Sequence, residues 1–368
     1  MPTTIPSPAV HVQNGRRARP APSIPSPPAV LAEVTRGTVV ESRHVGHVAI
    51  VAPDGRLLHA FGDPDRLVLL RSAVKPFQVL PLVTTGAADR YGFTEREIAV
   101  SCASHNGEDL HVELVTSILD KIGLPPEAMK FGKRPPLDPK TCEALEEAGK
   151  DPLPQHHECS GEHAEKLALA CHLGVDPETY MLPEGPVEQH ALRAISLLSG
   201  VPEDEIAQAQ DNCGVVTFGV PLRAAALMYA RLVAPPDDLD PATREACLRI
   251  SRAMMAHPEL VSGTDEKEAL DTVLMRQKPG RLLAKMGAEG VQALALSDSE
   301  IGPVGIIIKM EDGDSEERSR GPIAIALLRR LGLFSDVDAA AMGDHREEPV
   351  KNDKEQQIGL VRATIPAF

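Results

Sequence analysis

Strand-forming runs lie at both ends of this chain, and the long stretch between them is helical in pattern. "LAEVTRGTVVESRHVGHVAIVAPDGRLLHAFG" (31–62) reads as a strand and then a hairpin, with "PDG" at its turn. Toward the other end, "GRLLAKMG", "VQALALS" and "VGIIIKMED" read as three successive strands, and "GPIAIALLRRLG" as a closing helix. Between these runs the pattern predicts helices from Ser72, from the end of the Ser101–Gly107 loop to about Lys121, and over 141–149. Further helices are predicted from Ser160 to a stop at Gly174, and near 186–199, 219–233 and 240–256. No convincing linker divides residues 31–368. Strands at both ends around a helical middle predict one two-lobed α+β unit, with a sheet built from both chain ends and a helical lobe between. The acidic stretch over 337–356 reads as a solvated loop, and "IGLVRATI" as either a last strand or a loosely packed tail.

Composition narrows the partners. Aromatic residues make up 3% of the chain and Trp is absent, so the core must be built from Leu, Val, Ile and Ala. A formal charge of −15 argues against nucleic acid or an anionic membrane surface. No apolar run approaches the roughly 18 residues of a membrane-spanning helix. Six scattered cysteines form no dense framework, which favours a reduced, cytoplasmic setting. Residues 1–30 are Pro-rich, contain no acidic residue and have no apolar h-region, so they read as a disordered extension. That much proline opposes the amphipathic helix of an organelle transit peptide.

The stretch "RSAVKPFQVL" (71–80) carries the first chemical signal. A helix start is its positive end, so Lys75 is out of place there unless it has another task. Pro76 has no N–H and is tolerated only near a helix start, which places Ser72 at or beside the cap. A hydroxyl and an amine then share one face, and the helix end pushes the amine toward neutrality. A neutral amine beside a serine is a general base beside a nucleophile. Backbone N–H groups at the same helix start are natural oxyanion donors.

Two more short motifs follow in order: Ser104-His105-Asn106, and Lys285-Met286-Gly287. With Ser72-x-x-Lys75 they repeat the S-x-x-K, S-x-N, K-x-G order of serine β-lactamases and penicillin-binding proteins. Each alone is weak, since a capping serine or an edge-strand lysine would read the same. The ordered set, each on a suitable element, points to serine amidohydrolase chemistry. In that reading Ser72 pairs with Lys75, and Ser104 with Lys285 relays a proton to departing ammonia. A second constellation holds Cys159, Glu162 and His163 in "ECSGEH" and Cys213 in "QDNCG". Two thiolates with a carboxylate, imidazole or water would suit tetrahedral zinc. From spacing alone, two buried structural cysteines explain the same residues.

Together these residues resemble the asparaginase II family of Rhizobium type. "EVTRG", "ESRHVGHVAI", "RSAVKPFQ", "CASHNGE", "CSGEHAEKLALA", "DNCG" with "VPLRA", and "LLAKMGAEG" match its pattern in order, from about residue 31 to 331. The resemblance implies a serine-β-lactamase/glutaminase-like fold, hydrolysis of L-asparagine to L-aspartate and ammonia, and a homodimer. It implies Ser72 with Lys75 and Ser104 with Lys285 as catalytic tandems, Arg71, Asn106, His163 and Asp211 around the substrate, and zinc held by Cys159, Cys213 and residue 162. Arg71 would clamp the α-carboxylate of asparagine and Asp211 would take the ammonium. Here the chain departs from the family, whose "CSGKH" reads "CSGEH", putting Glu162 where a lysine ligand is usual. Glutamate is a competent zinc ligand, so the set survives with one more negative charge. Glutaminase or another amidase on the same scaffold remains an alternative, because one methylene discriminates only about 10- to 200-fold in an apolar pocket. A non-catalytic asparagine- or metal-binding homologue is the third reading. His44 and His47 are read as packing residues.

Overall fold

The structure, a computed structural model, describes residues 26–132, 134–265 and 269–366. Most of the expected Pro-rich extension, residues 1–25, lies outside them.

Eight strands form an antiparallel sheet: β1 (Ala29–Arg36), β2 (Val39–Val51), β3 (Leu57–Phe61), β7 (Leu282–Gly287), β8 (Val291–Leu296), β9 (Val304–Met310), β10 (Glu348–Lys351) and β11 (Gln357–Ala363). Three more, β4 (Leu67–Leu69), β5 (Ala207–Gln210) and β6 (Val216–Pro221), form a small second sheet in the order β4-β6-β5. The main sheet runs β10-β11-β1-β2-β9-β8-β7, with β3 also on β2. It is drawn from both chain ends around a helical middle, the α+β arrangement that the sequence pattern predicts.

The long strand β2 joins the two halves. Its first residues pair with β1, and Gly46–Val51 pair with β9, Val48 lying opposite Ile308 and Ile50 opposite Ile306. The first half of β2 is largely exposed and the second buried, so "VVESR" is polar and "HVAIV" is not. Strands β8 and β9 are apolar almost throughout because the Leu222–Val233 and Arg320–Arg330 helices pack on the sheet. Among the described residues no helix is long and apolar enough to cross a membrane.

Three sequence expectations give way. The supposed loop over 337–356 contains a short helix (Asp336–Ala341) and β10, which pairs with β11. The helix has a capping box between Ser335 and Asp338. The helix expected from 219 starts at Leu222, because Gly219–Pro221 complete β6 and Pro221 donates no hydrogen bond. The Ser72 helix is broken into a 3-10 turn (Arg71–Val74) and two short α-helices (Lys75–Gln78, Leu80–Thr84), each of the latter with a proline at its start.

Candidate active site

Four segments meet at the Arg71–Val74 turn. The small sheet brings the first two together: β4 leads into the turn, and β6 pairs with β4 while its β5 hairpin carries Asp211 and Cys213 at the tip. The hairpin closes by Asp211 N–H donating to Val215 O and Gly214 N–H to Asp211 O. The Arg71 guanidinium then donates to Asp211 Oδ1 from Nε at 3.0 Å and from its terminal nitrogen at 2.6 Å. Arg71 has φ +51°, a left-handed conformation that costs a non-glycine residue on the order of 1–3 kcal/mol. This ion pair and the Leu70 N–H bond to Phe218 O hold it there. Arg71 and Asp211 are therefore adjacent as the sequence implied, but they are bound to each other.

The third segment is the loop after the Glu95–Ser101 helix. Ser104 N–H donates to Val261 O, His105 N–H to Glu158 O, and the His105 ring bonds Ser160 Oγ at 2.9 Å. Next to it starts the Ser160–Leu173 helix, with Cys159 at its N-cap. A Cβ on Gly161 would lie 2.0 Å from Val100 O, so only glycine lets the two helices meet end to side. The fourth segment is β7, with Lys285 fully buried on it. Here Gly287 faces Leu70 O, which a Cβ would approach to 2.4 Å. The glycine of the "KMG" motif is what lets the Lys285 strand touch the Ser72 turn.

The lysines do not pair as the sequence suggested. Lys75 Nζ donates to Ala103 O at 2.7 Å, Ser104 Oγ at 3.2 Å and Cys159 Sγ at 3.2 Å, with Glu162 Oε2 at 3.5 Å. Lys75 thus holds the second serine. Among the described residues neither the Ser72 hydroxyl nor its N–H has a hydrogen-bond partner. The surroundings of Lys75 also run against the expected neutral amine. Burial favours its neutral form, but the charges of Cys159, Glu162 and Cys213 outweigh burial and raise its pKa. The helix end that was to neutralise it is a four-residue helix, too short to carry a useful dipole. Lys285 has the depressed pKa instead. Burial lowers it to about 8, against the partial opposition of Asp271, and Lys75 adds its own repulsion. Its only direct partner among the described residues is Met286 O at 3.1 Å.

Cys159, Glu162 and Cys213 are buried, with ligand atoms all within 4.8 Å of one another. A hydrogen bond from Cys213 holds the Cys159 thiol well below its ordinary pKa, helped by Lys75 and His157, while the same bond pushes Cys213 up. Burial raises Glu162 to about 7 against the pull of Lys75 and Lys166. Glu162 Oε1 is buried without a partner. Two sulfurs and a carboxylate with one oxygen left unpaired make a three-residue donor set that fits zinc.

Two further orphans face the same region. Tyr180 O–H accepts from Lys130 N–H and bonds His163 Nδ1 at 2.5 Å, which leaves the proton of the neutral imidazole on Nε2. Burial keeps His163 neutral, and Nε2 has no partner. Asn106 Oδ1 is likewise buried and unpaired. One buried donor and one buried acceptor are thus left open among the described residues. A cleft of about 540 Å³ opens beside the hairpin tip, lined by Met181, Glu184, Gln210, Gly214 and Val216. A larger hollow of about 750 Å³, between Arg329, Phe334 and Ile365, contains none of the site residues.

Solved structures with a similar chain trace include Mglu, 18% identical over 79% of this chain and 68% of that one, with a TM-score of 0.42. Another is a probable glutaminase from Bacillus subtilis complexed with 6-diazo-5-oxo-L-norleucine, 15% identical over 78% of this chain and 84% of that one, with a TM-score of 0.34. No curated protein gives a significant match. The description of one family, L-asparaginase II, matches residues 32–363, nearly the whole length, and the chain belongs to that family.

Proposed function

We propose that this chain is a serine-dependent L-asparaginase that releases ammonia from the side-chain amide of L-asparagine through an acyl-enzyme on Ser72. Family membership makes it an amidohydrolase of the asparaginase type. The observation that most supports the mechanism is that Ser72 Oγ is left without a hydrogen-bond partner among the described residues, while His163 Nε2 and Asn106 Oδ1 are buried without one. A zwitterionic amino acid needs such groups, an N–H for its carboxylate and an oxygen for its ammonium. The Arg71–Asp211 pair offers a second clamp of the same polarity.

In this reading Ser72 Oγ attacks the amide carbon and gives its proton to Lys285, the amine nearest neutrality. The Ser72 N–H helps hold the oxyanion. The C–N bond breaks as the proton taken by Lys285 passes through Ser104, which Lys75 holds in place, to the nitrogen, and ammonia leaves. Water then gives a proton to Lys285 as it adds to the ester carbon, the ester C–O bond breaks, and Lys285 returns that proton to Ser72 Oγ as aspartate departs. Cys159, Glu162 and Cys213 would hold zinc, which when bound supplies positive charge as a Lewis acid. Family likeness supports a homodimer.

Ammonia release from L-asparagine and L-glutamine, assayed side by side with Ser72→Ala, tests the proposal. We expect asparagine turnover to fall about a thousand-fold or more in the variant, with the fold intact. Near-normal turnover by Ser72→Ala would sink the mechanism, and faster release from glutamine would reassign the substrate. Elemental analysis of protein purified without chelator should find about one zinc per chain, bound through three side chains.

A further inference from the structure

One buried carboxylate beside the site has no part in the mechanism above. Asp271 opens the Leu270–Gln277 helix and is 1% exposed. Its Oδ2 accepts the Met286 N–H at 2.7 Å and its Oδ1 accepts Gln292 Nε2 at 2.8 Å. It therefore joins the helix to both β7 and β8, at the peptide next to Lys285. The Lys285 ammonium donates to the carbonyl of that same residue, Met286. No carboxylate among the described residues lies within 4.0 Å of Lys285 Nζ.

We infer that Asp271 is the positioning residue of Lys285: it fixes the strand that carries the amine and is the strongest of the negative groups that steady its protonated form during turnover. The inference rests on the asparaginase reading, in which Lys285 accepts the serine proton. A base must be neutral when it starts and must still hold the proton it takes. Burial alone serves the first need and defeats the second. A carboxylate set back from the amine serves the second without forming a salt bridge that would lock the lysine as a cation. Besides Asp271, the strongest influences on Lys285 come from Lys75, Cys159 at the start of the Ser160–Leu173 helix, and Cys102 at the end of the Glu95–Ser101 helix. Of these, Lys75 opposes protonation, and Asp271 is the largest that favours it.

Asp271→Asn removes the charge and can keep both bonds. Asn Oδ1 can still accept the Met286 N–H, and its amide can donate to Gln292 Oε1, which is buried and unpaired, once the Gln292 amide turns over. The pH profile of kcat/KM for ammonia release from L-asparagine is the readout. We expect the rising limb, where Lys285 loses its proton, to move toward lower pH by on the order of one unit in Asp271→Asn. The plateau should fall as well, because the base is weaker. Gln292→Leu removes one bond but keeps the charge, so its limb should stay in place. If Asp271→Asn does not fold, Asp271→Glu moves the charge rather than removing it, and a displaced limb is again expected. An unchanged limb in the folded Asp271 variant, or an equal shift in Gln292→Leu, would overturn the inference. Full activity in Lys285→Ala would overturn the reading beneath it, and with it the role of Asp271.

Discussion

Along the Leu222–Val233 helix the buried side chains are apolar: Leu222, Ala224, Ala225, Ala226, Met228, Tyr229, Ala230, Leu232 and Val233. The Ser160–Leu173 helix is buried just as fully over its first eleven residues, yet four of those are Glu162, His163, Glu165 and Lys166. The hydrophobic effect accounts for the first helix, at about 1.5–3 kcal/mol for each large side chain buried. It cannot account for the second, where every charged group gives up water on entry. Lys166 is answered by Glu188, 3.0 Å away and equally buried. Glu162 lies among Lys75 and the cysteines. Glu165 has no hydrogen-bond partner among the described residues, and burial raises its carboxyl well above the usual range. Such groups persist where a site needs charge in a dry place. The position of the second helix, between the zinc-type donors and the serine loop, says which kind of need this is.

Breaking the ion pair should have the largest effect. Lys166→Met leaves Glu188 buried without its cation, and urea unfolding should show a loss of about 3–5 kcal/mol. Adding Glu188→Leu should recover most of it, since a pair replaced on both sides is often neutral or better. Leu232→Ala in the apolar helix should cost about 2–5 kcal/mol, by the removed methyl groups and the cavity left behind. No second substitution across from it should recover that loss as the Glu188 change does.

Glu165→Leu sharpens the contrast from the other side. It exchanges an unpartnered carboxyl for an apolar group of similar size, and we expect a gain of about 1–3 kcal/mol. The gain should grow with pH. Folded Glu165 keeps a proton that the unfolded chain releases, so the native form binds more protons in that interval. Its contribution to stability is full below the unfolded pKa and declines as pH rises toward the folded one. Melting temperatures of parent and variant should therefore diverge from pH 4 to pH 8. Parallel curves would mean that Glu165 has a partner in solution.

Much of this was legible in the residues. The three strands of "LLAKMG", "VQALAL" and "VGIIIKM" carry their own signal, because strands covered on both faces must be apolar without interruption. Short motifs on either side of a sheet or helix start placed Ser72, Ser104, Lys285 and the cysteines in one region. β10 was not legible: "EPVK" is partly exposed on both faces, so no alternation marks it, and its partner β11 supplies the order. Nor were Asp271 and the Lys166–Glu188 pair, since a lone acid in a helix reads as solvent-facing. The contact of Lys75 with Ser104 escaped for another reason. Three-residue spacing puts Ser72 and Lys75 on one face, but the long lysine side chain reaches a different loop.

The pairing of β2 with β9 has a consequence in time. Gly46 lies opposite Met310, so more than half of the chain separates neighbours in the centre of the sheet. Contacts so distant in sequence close slowly, and the helical lobe must be made before the strand that completes the sheet exists. During synthesis β2 spends that interval as an open apolar edge. Lys285, one strand beyond β9's partner β8, belongs to the part that arrives late. The serines are in place early; the amine proposed to activate Ser72 comes with the closing of the sheet.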